Sequence, residues 1–300
     1  MSLLAITGGT GFVGSHLIDL ALVQGHQVRA LTRRPQPDRA GVTWIQGALD
    51  IPTALLTLAT GADAVLHVAG VVSNDRAGFV AGNIEGTRAM IAAAQSANVS
   101  RFVQVSSLAA REPALSDYGW SKAEADALLI GSDLDWTIVR PPAIFGPRET
   151  ELRDLFRMAK WHLLPLPPAG GRLSVLFVQD LVELLLTLAA PSILPNAIVE
   201  PDDGTPNGWS YSNFVRAIGA ATGHRVLPLP LPRPLLEIVA RGDALLRGAK
   251  AKLTPDRVRY FCHPDFVSHL PVPADLWHAR TDTRAALAET AAWYRAHALL

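Results

Sequence analysis

The tightest constraint on this chain is a glycine turn near its start, Thr7-Gly8-Gly9-Thr10-Gly11-Phe12-Val13-Gly14. The apolar run Leu3-Leu4-Ala5-Ile6 before it reads as a buried strand. His16 to Leu22 after it has the apolar spacing of an amphipathic helix. A strand that turns through glycines into a helix leaves the first N–H groups of that helix unpaired, at the positive end of its dipole. Such a turn is an anion site, and the anion it suits is a diphosphate. Gly8 allows the tight turn, Gly11 lets the anion approach the backbone, and Gly14 lets the helix pack close to the strand. The expected contacts are Gly8, Thr10, Gly11, Phe12, Val13 and Gly14.

Three hundred residues, 49% hydrophobic and 18% charged, can bury a large core as one domain or one and a half. The formal net charge is zero and no stretch resembles a nucleic-acid-binding patch, so no nucleic-acid partner is expected. No apolar run reaches the length of a transmembrane segment. Cys262 is the only cysteine, which excludes an internal disulfide and a thiolate metal cluster and fits a reducing cytoplasm. The nine histidines show no two-ligand helical spacing, so no metal is expected. The N-terminus already reads as a strand, leaving no room for a signal peptide, and a cytoplasmic location is expected.

Further strands read at Gln27–Thr32, Val42–Gln46, Ala64–Gly70, Arg101–Val105 and Trp136–Val139, with helical segments between them. This repeated βα pattern predicts an α/β protein with a doubly wound parallel sheet, a Rossmann fold, whose ligand crevice lies at the strand carboxyl ends. A diphosphate at the first turn then implies a dinucleotide. No acidic residue occurs between Gln27 and Pro37 to hold ribose hydroxyls, whereas Arg33 and Arg34 sit where a 2′-phosphate would lie. The expectation is NADP(H) rather than NAD(H), held by Arg33, with Arg34 or Arg29 as helpers. Val68-Ala69-Gly70 are small enough for the adenosine half to lie over them. His67 reads as a hydrogen-bonded histidine beside the cofactor rather than a catalytic group. Asn83 either caps the next helix or orders the active site.

Tyr118 and Lys122 are four apart and share one face of a helix that is expected from Gly119 onward. A free tyrosine is a poor acid–base at neutral pH, and a neighbouring ammonium would lower its pKa. A serine at the end of strand Arg101–Val105 could hydrogen-bond the same substrate oxygen.

In these motifs the chain resembles the extended short-chain dehydrogenases/reductases, the NAD(P)-dependent epimerase/dehydratase group. Thr7 to Gly14, His67-Val68-Ala69-Gly70, Val105-Ser106-Ser107, Tyr118-Gly119-Trp120-Ser121-Lys122 and Arg140 to Pro147 carry the likeness. The resemblance implies Tyr118 as general acid–base, Lys122 also on the nicotinamide ribose, and Ser107, or else Ser106, on the substrate oxygen. It further implies that Pro141 and Ile144 border the nicotinamide.

The expected division is a dinucleotide-binding domain over residues 1–147 and a mainly substrate-binding lobe over 148–300. Segments around 174–190 are expected to return to the main sheet. Prolines crowd 164–168 and 227–234, which read as loops and short helices of the lobe. Asp180 reads as a helix cap. Nucleotide-sugar members of the family carry an asparagine where this chain has Ala143, and an arginine where it has Leu173; Arg172 would point elsewhere on a strand. The nearer resemblance is to the dihydroflavonol reductase and 3β-hydroxysteroid dehydrogenase-like branch, which implies an apolar alcohol or ketone. The alternatives are an NAD-dependent sugar epimerase/dehydratase and a non-catalytic dinucleotide-binding subunit. The expected partner is a small-molecule substrate, with the chain a monomer or homodimer. Residues 235–246 read as an amphipathic helix that packs on its own domain, lines an apolar pocket or touches a membrane. Thr283 to His297 reads as a closing helix.

Overall fold

The computed structural model describes residues 1–72, 75–248 and 254–300. The chain opens with β1 (Leu3–Thr7), α1 (Phe12–Val23), β2 (Gln27–Thr32), β3 (Val42–Gln46), α2 (Pro52–Ala59) and β4 (Ala64–His67). α3 (Arg76–Phe79) passes through a π-helical stretch, Val80–Glu85, into α4 (Gly86–Ser96). β5 (Arg101–Val105), α5 (Asp117–Ile130) and β6 (Asp135–Val139) end the regular alternation. Next come β7 (Ala143–Phe145), α6 (Arg153–Met158), β8 (Leu163–Leu166), β9 (Arg172–Leu173) and β10 (Val175–Phe177). α7 (Val178–Leu188) leads to β11 (Ala197–Val199), then β12 (Trp209–Ser210) and α8 (Tyr211–Thr222). The last elements are β13 (Leu227–Pro230), α9 (Arg233–Arg247), α10 (Pro255–Phe261), β14 (Asp265–Phe266) and α11 (Thr283–Ala296).

Two compact units result: Met1–Pro141 with Leu181–Glu200, and Pro142–Asp180 with Pro201–Leu300. The first holds a seven-stranded parallel sheet in the order β11-β6-β5-β4-β1-β2-β3. Ala5, Leu31, Val65, Phe102 and Ile138 project from one face into a core with Leu55, Leu58, Met90, Ile91 and Leu129. The alternate positions Leu4, Ile6, Val28, Ala30, Leu66 and Val103 are buried too. Both faces are therefore covered, as a parallel sheet requires. The chain runs outward from β1 to β3, then restarts at β4 on the other side of β1. That reversal is the switch point at which such sheets bind ligands.

The second unit has only short strands. β10 pairs with β7, β12 and β14 flank β9, and β13 pairs with β8. Two sequence expectations are corrected here. Val175–Phe177 does not join the main sheet but pairs with Ala143–Phe145; the late strand that does join it is β11, on the edge of β6. Pro141-Pro142 ends β6, so the chain restarts as a separate three-residue strand with its own apolar partner. The proline-rich Leu227–Pro230 is not a loop but an extended strand against Leu163–Leu166, where Leu227 and Leu231 donate the hydrogen bonds that the intervening prolines cannot.

Candidate active site

β1 runs into Gly8, whose φ of +73° lies in the region that favours glycine. A Cβ there would also lie 2.8 Å from the Ala69 nitrogen, so the ends of β1 and β4 approach too closely for any other residue. A Cβ on Gly14 would lie 2.1 Å from the Gly8 carbonyl oxygen. The first turn of α1 therefore packs directly on the turn. No side chain caps α1, so its first N–H groups have no capping acceptor, and Thr10 and Gly11 beside them are exposed. This uncapped, glycine-walled cradle fits a dinucleotide diphosphate.

A buried chain of hydrogen bonds fixes the switch point. The Ala69 N–H donates to Thr7 Oγ1 (3.1 Å), Thr7 Oγ1 pairs with His67 Nδ1 (2.8 Å), and His67 Nε2 with Thr87 Oγ1 (3.0 Å). Burial first, and the Lys122 charge second, push the His67 pKa down to about 3, so this histidine is neutral. Asn83 caps no helix. It lies inside the π-helical stretch, accepting from Val71 N–H (2.8 Å) and donating to Ser121 Oγ (2.9 Å), and so ties the loop after β4 to α5.

Ser116 caps α5 by accepting from Gly119 N–H (3.0 Å), and the helix starts at Asp117, two residues earlier than expected. A Cβ on Gly119 would sit 2.6 Å from the Ala109 carbonyl oxygen. The 3-10 turn that follows Ser107 thus lies against the start of α5. Tyr118 is half-buried beside Phe79, with ring centroids 6.0 Å apart. Burial raises its pKa above that of a free phenol, and a hydrogen bond with Ser107 pulls it part of the way back. Lys122 was expected to do that. Instead its buried ammonium donates to the Val105 carbonyl (2.8 Å), and burial lowers its own pKa to about 8 against the pull of Asp126. Ser107 is therefore the serine beside Tyr118. Ser106 is buried, its N–H bonded to the Val139 carbonyl at 2.7 Å.

A model of the NAD(P)H-binding family matches residues 8–155. The ceramide reductase of Caulobacter vibrioides is 33% identical over 97% of this chain and 94% of its own length. The chain belongs to the extended short-chain dehydrogenases/reductases. It is accordingly an enzyme that carries out oxidoreduction with a nicotinamide dinucleotide. The sterol demethylase protein B of Methylococcus capsulatus is 27% identical over 98% of this chain and 99% of its own. The solved structure of MoeE5 with UDP-glucuronic acid and NAD shares the fold, with a TM-score of 0.74 at 21% identity, covering 99% of this chain and all of that one.

The remaining predicted positions of this dehydrogenase/reductase fall as follows. Arg33 and Arg34, just after β2, are exposed, and among the described residues neither guanidinium has a partner. Arg29 is not a helper, because its guanidinium is bonded to the Thr57 and Thr60 carbonyls at the end of α2. Val68, Ala69 and Gly70 lie beyond β4, which stops at His67, and a Cβ on Gly70 would stand 3.7 Å from Lys122 Nζ. Pro141 is buried and its carbonyl accepts from Leu108 N–H (3.1 Å), next to Ser107. Ile144 belongs to the second unit, on β7. Asp180 caps nothing on its own helix; it accepts from Arg280 N–H at 3.0 Å. Arg172 is bonded to the Asn207 and Gly208 carbonyls.

The sequence reading missed Asp126 and Arg140. The Asp126 carboxylate, buried one turn after Lys122, pairs with Arg140 Nε (2.9 Å) and accepts from Gln104 Nε2 (2.8 Å). Burial raises its pKa, and Arg140 opposes that most strongly. The four-residue spacing from Lys122 to Asp126 was the available signal.

Proposed function

We propose that this enzyme reduces a ketone to a secondary alcohol on a small, largely apolar molecule, with NADPH as the preferred cofactor. The observation that carries this reading is the half-buried Tyr118, bonded to Ser107 and one helical turn from Lys122. A bound nicotinamide supplies the hydride to the carbonyl carbon. Tyr118 gives its proton to the carbonyl oxygen as negative charge develops there. Its raised pKa keeps the phenol protonated at neutral pH, the form that donates. The Ser107 hydroxyl donates a second hydrogen bond to that oxygen. Lys122, its Nζ next to Gly70, holds the nicotinamide ribose. Gly8, Thr10, Gly11, Phe12, Val13 and Gly14 hold the diphosphate, and Val68 to Gly70 the adenosine half. Pro141 borders the nicotinamide. Arg33, with Arg34, pairs with the 2′-phosphate, since both are exposed and neither guanidinium has a partner among the described residues. Two full-length relatives are named for ceramide and sterol chemistry, which supports an apolar substrate.

Calorimetric titration with NADPH and NADH tests the cofactor, and Tyr118→Phe tests the chemistry. NADPH is expected to bind about 10–100-fold tighter than NADH, and Arg33→Ser to erase most of that difference. Tyr118→Phe is expected to lower kcat on an apolar ketone about a thousand-fold with NADPH affinity nearly unchanged. Preference for NADH, or ketone reduction that survives Tyr118→Phe, overturns the reading.

A further inference from the structure

α9 is the most strongly amphipathic of the longer described helices. It has two apolar sides rather than one. Ala240 is fully buried within the second unit, with Leu236 partly covered on the same side. At 100° per residue, Leu235, Ile238, Val239, Leu245 and Leu246 fall within an arc of about 120° on another side. All five are exposed, Leu245 and Leu246 at 87% and 88%. A helix that only packed on its own unit would carry polar residues there. β13, which leads into α9, has the same character: Leu227 and its partner Leu163 are both exposed.

The charge of the surrounding sequence is one-sided. The sequence from Arg233 to Arg259 carries seven Lys and Arg against three Asp and Glu, in a chain with zero net charge. Arg241 lies within half a turn of Leu245 on the helix surface; it is exposed and has no partner among the described residues. Arg233 and Arg247 are paired with Glu237 and Asp243, which leaves Arg241 as the cation at the edge of the stripe. An apolar stripe edged by such a cation suits the boundary between acyl chains and anionic headgroups, where the leucines enter the apolar layer and Arg241 meets the phosphates. No described helix is long and apolar enough to cross a membrane, so the contact is made on the surface.

We propose that α9 docks this enzyme on an anionic membrane surface through Leu235, Ile238, Val239, Leu245 and Leu246. The inference goes beyond the reading of the active site and stands without it. The full chain is mixed with phosphatidylcholine vesicles, with or without 30% phosphatidylglycerol on the order used to probe surface charge, and pelleted. Pelleting is expected with the anionic vesicles, weaker at high salt. Leu245→Glu/Leu246→Glu is expected to cut vesicle affinity at least about 30-fold. Both positions are open to solvent, so the fold survives, as circular dichroism checks, and reduction of a water-soluble ketone stays unchanged. Tyr118→Phe is expected to pellet like the wild type, which separates failure of docking from failure of the chemistry. Equal pelleting of wild type and double variant overturns the proposal. So does a wild-type dimer that the double variant splits without any vesicle binding, since the stripe would then cover a second copy of the chain.

Discussion

The two units are stabilised in different ways. The first is a ladder: seven parallel strands, apolar on both faces, with backbone approaches so close that Gly8 and Gly14 admit no Cβ. The second has strands of two to four residues and is pinned by carboxylates that reach across its loops. Glu149 accepts from Leu152 N–H (2.8 Å) and pairs with Tyr294 Oη (3.2 Å), which is 145 residues away. Asp203 accepts from Thr205 N–H (3.0 Å), Trp209 Nε1 (2.8 Å) and the Thr283 hydroxyl. Asp202 accepts from Ser174 Oγ (2.7 Å) and Gly204 N–H (3.0 Å). A regular sheet satisfies its backbone by repetition, whereas irregular loops need a side-chain acceptor for each exposed donor. The lesson is that the first unit depends on packed apolar side chains and close backbone contacts repeated along a regular sheet, and the second more on single polar residues.

The largest effect is expected from Gly14→Ala, which sets a Cβ 2.1 Å from the Gly8 oxygen. The turn must open, at a cost of roughly 4 kcal/mol or more in stability, and dinucleotide binding is lost. Denaturant unfolding and calorimetry read both. A variant that binds cofactor normally would show that the glycine contact is not needed.

In the second unit, Asp203→Ala removes three hydrogen bonds at once and leaves the Trp209 N–H without its acceptor. A loss of about 3 kcal/mol is expected in urea unfolding, more than from any single exposed carboxylate. A loss under about 0.5 kcal/mol would mean that the loops are held by packing alone.

His67 gives the smallest effect, and one that depends on pH. An unfolded histidine takes up a proton below about pH 6.5, whereas folded His67 does so only near 3. Between those values the unfolded chain binds more protons, so folding stability falls as pH falls from about 6.5 towards 3. His67→Gln removes that slope. Between pH 7 and pH 4.5 the wild type is expected to lose about 2 kcal/mol more stability than His67→Gln does. Equal slopes would show that another group carries the acid sensitivity.

Much of the first unit was legible in the sequence, because its signals are local and periodic. Each strand run, the glycine turn and the Tyr118–Lys122 spacing is a pattern within a few residues, and the anion site at the start of α1 follows from the turn. The amphipathic nature of residues 235–246 was equally plain. Tertiary structure alone decided which side of that helix is covered, because burial depends on neighbours distant in the chain. It also decided that Arg29 closes α2 instead of facing a phosphate, and that Lys122 is held by the Val105 carbonyl while Ser107 bonds Tyr118. It set β11 rather than β10 on the edge of β6. In each case two residues or strands of suitable chemistry competed for one partner, and distance in the folded chain, which no local pattern encodes, chose between them.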